Sequence, residues 1–594
     1  MKNLINIVVA VLTATTPLFS YGQSETASQL LFGYCGEITR GLGSATPGTT
    51  ERAAIEIPAD LAKKWAGNYI TQILVGYGSS PQSEISVFLS NSLDEQPLYS
   101  QDAVVENQVG WNPVALDTPY LITGDSFFVG YGSYINNESD KPIGIDDIKN
   151  DSPYSGWIEI DGKWSNYAKF FGNVCIKILI EGESLPQNEV TLDNVSAPGL
   201  VQAGQPFSIT LEIANNGAAE VETLSPACSI GDRKVDVAEI TFPDGPVASQ
   251  QTGLVILSGL VSQVTGLDLP LSVEISEVNG EKNESTQNTS LSVSIDCAEK
   301  CFPKQMVVEE YTGTWCGWCP QGIVAMKYME ENFGDKGFIG IAVHLGDEMQ
   351  AASYAPLASI YHSSPGFPAA TVNRGEVFVP STESFIEYYE RVENEFAPAM
   401  IDVVAKYDDE SKSLTATATS AYSFDWDAAP YSLAFVITED NVGPYLQTNY
   451  FSGGQMGQTL EGWTDEAVDV LTMYNEVAIE IIDLYGIEGS VPAVISALSD
   501  YEYTAILPTD KVKDLNNCKV IAILLDTLSG EIVCGAKTKI EGVTAVTGVE
   551  KPQDSSFKVF NIHGVKILET TDKSQLNSLP HGIYIINGEK VSIK

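Results

Sequence analysis

After its first 23 residues the chain contains no apolar run near the ~20 residues that a membrane-spanning helix needs, so no helical span is expected beyond that point. Histidine is scarce: His344, His362, His563 and His581 stand alone. With no His pair and only one CxxC, the chain lacks the ligands of a zinc ribbon, and no metal or other cofactor is expected. Basic residues are few, 32 Lys plus Arg against 78 Asp plus Glu, and the formal net charge is −46. That field repels phosphate backbones, which argues against nucleic acid as a partner. The stretch "DDIKND" at 146–151 resembles a calcium loop only loosely, because the EF-hand pattern is absent.

What is present is ordinary globular composition, 44% hydrophobic and 19% charged, over 594 residues, enough for several domains of roughly 100–200 residues each. The opening reads as an export signal over residues 1–23: Lys2, the apolar core "LINIVVAVLTA", then "FSYGQ" as a cleavage region. No cysteine sits at that cleavage point, so lipid anchoring there is not indicated. Export implies an oxidising compartment, which suits the nine cysteines. Cys35 and Cys175 lie near the two ends of the first β region and could close it. Cys297 and Cys301 could pair with each other or with Cys228, and Cys518 and Cys534 flank an expected hairpin. The odd count leaves one thiol over, and spacing leaves the connectivity open.

Residues 24–185 alternate in short aromatic and β-branched runs, the pattern of a jelly-roll-like β-sandwich. Residues 186–298 read as an immunoglobulin-like sandwich opened by a Pro/Asn/Gly-rich linker. From 299 to 397 strands alternate with helical patterns, an α/β order. Residues 398–543 return to strands, with an inserted polar loop and an expected helix at "DEAVDVLTMYN". In 544–594, Asn587-Gly588 between two apolar runs signals a hairpin. Trp111, Trp157, Trp164 and Tyr167 are read as packing residues of the first sandwich, with a sugar-stacking platform as the alternative.

The chemistry concentrates in "EEYTGTWCGWCPQG", residues 309–322. An apolar strand runs straight into it, and Pro320 with a helical pattern follows. Cys316 therefore falls at or just before a helix N-terminus, where partial positive charge and free N–H groups favour a thiolate. The CxxC spacing lets Cys319 resolve a mixed disulfide. Redox pair, structural disulfide and metal ligand remain three readings, and the strand–CxxC–helix context favours the first.

This stretch resembles the active-site segment of the thioredoxin-like superfamily. The resemblance implies Cys316 as nucleophile, Trp315 as the tryptophan before it, Cys319 as the resolving cysteine, and Glu310 as the buried acid that moves protons to the resolving thiol. A strand-end surface charge is the bland alternative for Glu309 or Glu310. Pro368, in "SSPGFPAATVNRG", matches the proline that opens the opposite strand and aims the Phe367 backbone at a substrate peptide. Gly317-Trp318 departs from the usual Gly-Pro between the cysteines, which leaves potential and direction of electron flow open. Glu309, Glu310, Glu330 and Glu331 should oppose thiolate formation. His344 is read as a satisfied strand-end histidine, and Arg374 as an exposed strand-end charge.

Residues 304–541 further resemble the twenty-eight-kilodalton outer-membrane-protein family of the Bacteroidetes, in which a thioredoxin-like domain is joined to a β-sandwich. The tail, through Gly564, Gly582, Tyr584 and the Lys590–Lys594 stretch, is similar to type IX secretion sorting domains. The fold class expected is therefore a thioredoxin-like α/β domain flanked by jelly-roll and immunoglobulin-like β-sandwiches. The function expected is exported thiol–disulfide oxidoreductase, at the cell surface or outer membrane or outside the cell, with the periplasm as alternative. Its partners would be protein disulfides or thiols, a redox partner, and secretion machinery through 544–594. The rival is a surface binding or adhesion protein built on a redox-inactive scaffold.

Overall fold

The computed structural model describes residues 28–43, 46–78, 84–104 and 109–543, and in the tail 557–561, 566–570, 575–576, 579–580, 582–586 and 589–593. The expected export signal at 1–23 lies outside them, as do Gly564, Lys594 and the Asn587-Gly588 turn. The chain forms two units, Met1–Lys300 and Cys301–Lys594.

In the first unit the period-two alternation of the strands decides the layering. Thr50–Ile57 and Tyr69–Tyr77 each send one set of side chains inward, and they belong to different sheets. The sheets have six and four strands, and Ile55, Ile57, Ile73, Val129 and Ile178 share the core between them. Residues 190–298 build two further sheets around a separate core that includes Leu211, Leu257, Val273 and Ile275. Trp111 lies on the four-stranded sheet, whereas Trp157 and Trp164 lie on the six-stranded one, so these aromatics do not form a single platform. Trp157 packs edge-on against Phe128, and Trp164 against Phe88. Asp146, within the loose calcium-like stretch, spends its carboxylate on the amides of Gly36, Ile148 and Asn173.

The second unit opens with β1 (Met306–Thr312), α1 (Pro320–Phe333), β2 (Phe338–His344), α2 (Ala355–Ser363), β3 (Ala369–Val372), β4 (Val377–Phe378) and α3 (Thr382–Val392). It continues with β5 (Ala399–Asp408), β6 (Ser413–Tyr422), β7 (Tyr431–Glu439), β8 (Val442–Thr448), β9 (Asp469–Tyr474), β10 (Val477–Ile487), β11 (Tyr501–Leu507), β12 (Cys518–Asp526) and β13 (Ile532–Glu541). β1 and β2 are buried at all seven positions, because helices and other strands cover both faces. β1 runs parallel to β2 and antiparallel to β3. α3 starts at a reciprocal cap between Ser381 and Ser384. α1 passes through Gly334, still helical, into a short 3-10 turn and stops at Gly337, whose φ of 97° suits glycine.

Two features go beyond the sequence pattern. Residues 306–392 and 397–534 each hold a core of their own, but the boundary at 397/398 does not close them off from each other. One sheet of eleven strands runs β4-β3-β1-β2-β10-β7-β12-β13-β5-β6-β11, joined across the boundary by the parallel bridge Ala342–Val477. Val307, Ile339 and Ile341 share their core with Val436, Ile521 and Ile523. Secondly, the helix expected in "DEAVDVLTMYN" is strand β9, paired with β8. Val470, Thr472 and Tyr474 alternate in burial with their neighbours, and a ladder partner outweighs the local helical spacing. Cys518 and Cys534 do not face each other: Cys534 lies opposite Leu524 in the β12–β13 hairpin. The fold as a whole is a β-rich, multidomain one.

Candidate functional site

β1 ends at Thr312, and the chain turns through Gly313–Trp318 into α1. Cys319 is the N-cap and Pro320 the first helical residue, where its missing N–H costs nothing. Cys316 and Cys319 are joined by a disulfide, with Cα atoms 5.4 Å apart. Their sulfurs sit at the positive end of a fourteen-residue helix, an environment that stabilises thiolate after reduction. Cys319 is fully buried, and Cys316 is only 5% exposed. An open nucleophile is therefore not what the fold presents.

The cover comes from the segment after β8. Thr448 N–H donates to the Thr314 carbonyl (2.8 Å), Tyr450 N–H to that of Gly317 (2.9 Å), and Gln447 Nε2 to that of Cys316 (2.8 Å). Trp318 packs edge-on against Tyr450 and Phe451. Residues 447–451 thus form a strap over one side of the CxxC turn. On another side Trp315, 44% exposed, stacks on Phe367 at 5.9 Å and meets His362 edge-on. Its indole N–H donates to the Leu345 carbonyl. Pro368 follows Phe367 through a cis peptide and leads β3, where Ala369 is paired with Tyr311 of β1. Pro368 is thereby brought beside the strand end that feeds the CxxC turn.

Glu309 and Glu310 are both buried, which corrects the surface-charge alternative. Period-two geometry sends them to opposite faces of β1. Glu309 accepts from Arg374 Nη2 (3.0 Å), Tyr311 (3.0 Å) and Tyr354 (3.1 Å). Arg374, expected at the surface, has a side chain only 7% exposed and is held by this carboxylate. Glu310 has no such partner: its Oε1 is buried without a hydrogen bond. Loss of solvent raises its pKa from 4.5 to about 8, against a weaker opposing pull from Thr312. Its carboxyl lies against the first turn of α1, where a side chain at Gly322 would come within 2.3 Å of Oε1. Gly322 N–H in turn bonds the Cys319 carbonyl. A carboxyl whose pKa burial raises to about 8 is thus seated against the helical turn that begins at Cys319.

The carboxylates expected to oppose a thiolate are largely neutralised. Glu309 is paired with Arg374. Glu330 is paired with Lys537 (2.7 Å) and Lys519 (3.2 Å). Burial works against its ionisation, but these cations outweigh it and draw its carboxyl below the usual range. Glu310 is mostly protonated at pH 7.

No family model and no curated protein matches the chain. Among solved structures it is similar to HBP35 of Porphyromonas gingivalis (16% identity, 49% of this chain and 99% of that one, TM-score 0.30). It is also similar to the CARDB domain of PF1109 from Pyrococcus furiosus (10% identity, 20% of this chain and 100% of that one, TM-score 0.16). A third is a putative membrane anchored protein from Corynebacterium diphtheriae (9% identity, 86% of this chain and 95% of that one, TM-score 0.14). At such TM-scores none of them carries an argument about fold or function.

Several site residues have no motif of their own. His344 is fully buried and bonds Asp347 through Nδ1 (2.8 Å), while its Nε2 has no hydrogen-bond partner. Asp347 also accepts from the Thr314 amide, at the base of the CxxC turn (2.9 Å). The His344 ring meets Tyr474 edge-on, and the Tyr474 hydroxyl donates to Gln447 (2.9 Å). A chain of contacts therefore runs from His344 through Tyr474 and Gln447 to the Cys316 carbonyl. Its only sequence signal is the isolated histidine at the end of β2; Gln447 and Tyr474 come from strands more than 100 residues further on, and local pattern says nothing of them. A cavity of about 800 Å³ in the first unit, lined in part by Ser225, Ser272 and Glu274, involves none of these groups. Among the described residues no helix is long and apolar enough to cross a membrane, and no His/Cys/Asp/Glu group is arranged to hold a metal.

Proposed function

We propose that the chain is an exported thiol–disulfide oxidoreductase whose second unit contains a thioredoxin-like segment. The observation that carries the reading is the Cys316–Cys319 disulfide at the start of α1, with the buried Glu310 carboxyl, its Oε1 without a hydrogen bond, against the same helical turn. The order β1, α1, β2, α2, β3, β4, α3, with Pro368 ahead of β3, supports the thioredoxin-like assignment. In the reductive direction, the Cys316 thiolate attacks one sulfur of a substrate disulfide and expels the other as a thiolate. Cys319 gives its proton to the ionised fraction of Glu310 and attacks the mixed disulfide as a thiolate. That step releases the second substrate thiol and restores the Cys316–Cys319 bond, so two electrons pass to the substrate. A dithiol must then reduce the pair again. Trp315 and Pro368 would flank the incoming chain.

The flanking jelly-roll and immunoglobulin-like sandwiches would select or present clients at the cell surface or outside the cell. Residues 544–594 would serve as a sorting domain for type IX secretion, on the tail's own likeness to such domains. Cys316→Ser should abolish insulin-disulfide reduction driven by dithiothreitol. A wild-type protein inactive with every common reductant would overturn the enzyme reading. The burial of Cys316 under the 447–451 strap favours one rival, a surface binding protein with a permanently closed bond. In that case the potential of the pair lies below about −300 mV, and mild dithiothreitol releases no thiol.

A further inference from the structure

Outside the CxxC, two cysteines of the first unit are placed for chemistry of their own. Strand Ser28–Phe32 forms the edge of the four-stranded sheet and pairs antiparallel with Ile176–Gly182, from Ser28 opposite Gly182 to Phe32 opposite Ile178. Continued past the ladder, the same register sets Cys35 opposite Cys175. The close approach does continue: a side chain at Gly33 would meet the Ile176 carbonyl at 2.6 Å, and Cys35 Sγ lies 3.9 Å from that oxygen. Asp146 clamps the two chains at this level. One of its oxygens accepts from Gly36 N–H (3.0 Å), the residue after Cys35, and the other from Asn173 N–H (2.8 Å), two before Cys175. On the neighbouring strand, Gly76 leaves the space that a Cβ would take from Cys175, 2.6 Å away.

We propose that Cys35 and Cys175 are a second oxidisable pair, closing a disulfide that staples the edge strand to its neighbour. The two thiols are hydrogen-bonded to each other, which draws Cys35 below the usual thiol range and pushes Cys175 well above it. Cys35, 8% exposed where Cys175 is fully buried, is the first nucleophile. Its thiolate attacks a disulfide oxidant of the glutathione type, forming a mixed disulfide and expelling one thiol. Cys175 loses its proton, displaces the second thiol, and the Cys35–Cys175 bond closes with two electrons passed to the oxidant. Three other buried cysteines face different partners. Cys228 sits opposite Val235 and Val273, Cys534 opposite Leu524, and the Cys518 thiol donates to the Asp514 carbonyl.

The test uses the full chain carrying Cys316→Ser and Cys319→Ser, so that the CxxC takes no part. After reduction the protein is refolded with oxidised glutathione, alkylated in denaturant and digested without reductant. The expected result is one peptide pair joined through Cys35 and Cys175, with Cys228, Cys518 and Cys534 alkylated. Reductant should lower the melting temperature of this oxidised form by about 5 °C or more, since the bond closes a long loop. Quantitative alkylation of Cys35 and Cys175, their linkage to other cysteines, or melting indifferent to reductant would each overturn the proposal.

Discussion

Replacing Glu310 by Gln should tilt the pH dependence of stability. The carboxyl is 1% exposed, and burial raises its pKa from 4.5 to about 8. Between those two pH values the folded protein holds one proton that the unfolded chain has released. Stability of the wild type therefore falls as pH rises through this window, by about 1.4 kcal/mol per pH unit for one proton. Below 4.5 both states are protonated and above 8 both are ionised, so the profile flattens outside the window. The whole interval sets a ceiling of about 4–5 kcal/mol, and the step from pH 5.5 to 7.5 about 2–3 kcal/mol. Gln cannot ionise, so it escapes this slope. Its amide brings N–H groups into the same unpartnered site at a cost of about 1–3 kcal/mol, but that cost does not vary with pH. Other titrating groups, such as Glu476 with its pKa raised by burial to about 7, cancel in the difference between the two proteins.

The assay is urea unfolding of the oxidised full-length chain, followed by tryptophan fluorescence at pH 5.5, 6.5 and 7.5. The stability of Glu310→Gln relative to wild type should climb with pH across the series. Parallel profiles, separated by a constant to within about 0.5 kcal/mol, would refute the raised pKa and with it the assignment of Glu310 as a proton carrier near neutrality. If the assignment holds, the variant that is relatively more stable at high pH should also be slower in disulfide exchange, because Cys319 loses its proton acceptor.

Two further outcomes follow from contacts around the turn. Gly317→Ala places a Cβ 2.3 Å from the Tyr450 ring, so the strap must shift; reduced Cys316 should then be alkylated by iodoacetamide about tenfold faster than in the wild type, equivalent to about 1.4 kcal/mol of easier opening, and an unchanged rate would refute the strap as the barrier. Arg374→Leu leaves Glu309 buried without its cation and should cost about 3–5 kcal/mol in urea unfolding. Adding Glu309→Gln should recover much of that loss, and a single variant within about 1 kcal/mol of wild type would show that the ion pair does not hold this face of β1.

Local sequence by itself determined the run of elements that carries the disulfide. Seven consecutive buried residues from Met306 to Thr312, the break at Gly313, Pro320 at the first helical position and apolar spacing through Met326 and Met329 are short-range signals, and short-range forces are enough to express them. The capped helix Thr382–Val392 is legible for the same reason. Tertiary structure decided what those signals could not reach. Glu309 and Glu310 are adjacent and alike in sequence, yet one meets the cation of Arg374, 65 residues on, while the other meets no cation and lies against the helix turn at Gly322. Cys316 loses its access to solvent through Gln447, 131 residues away, and His344 gains its meaning from Tyr474. Strand β9 took a strand's form because β8 stood ready to pair with it, and the core of 304–397 merged with strands beyond 430 because both faces of β1 and β2 needed covering. Hydrophobic periodicity and chain punctuation are properties of neighbours in sequence; burial, charge pairing and access belong to neighbours in space, and those exist only once the chain has closed on itself.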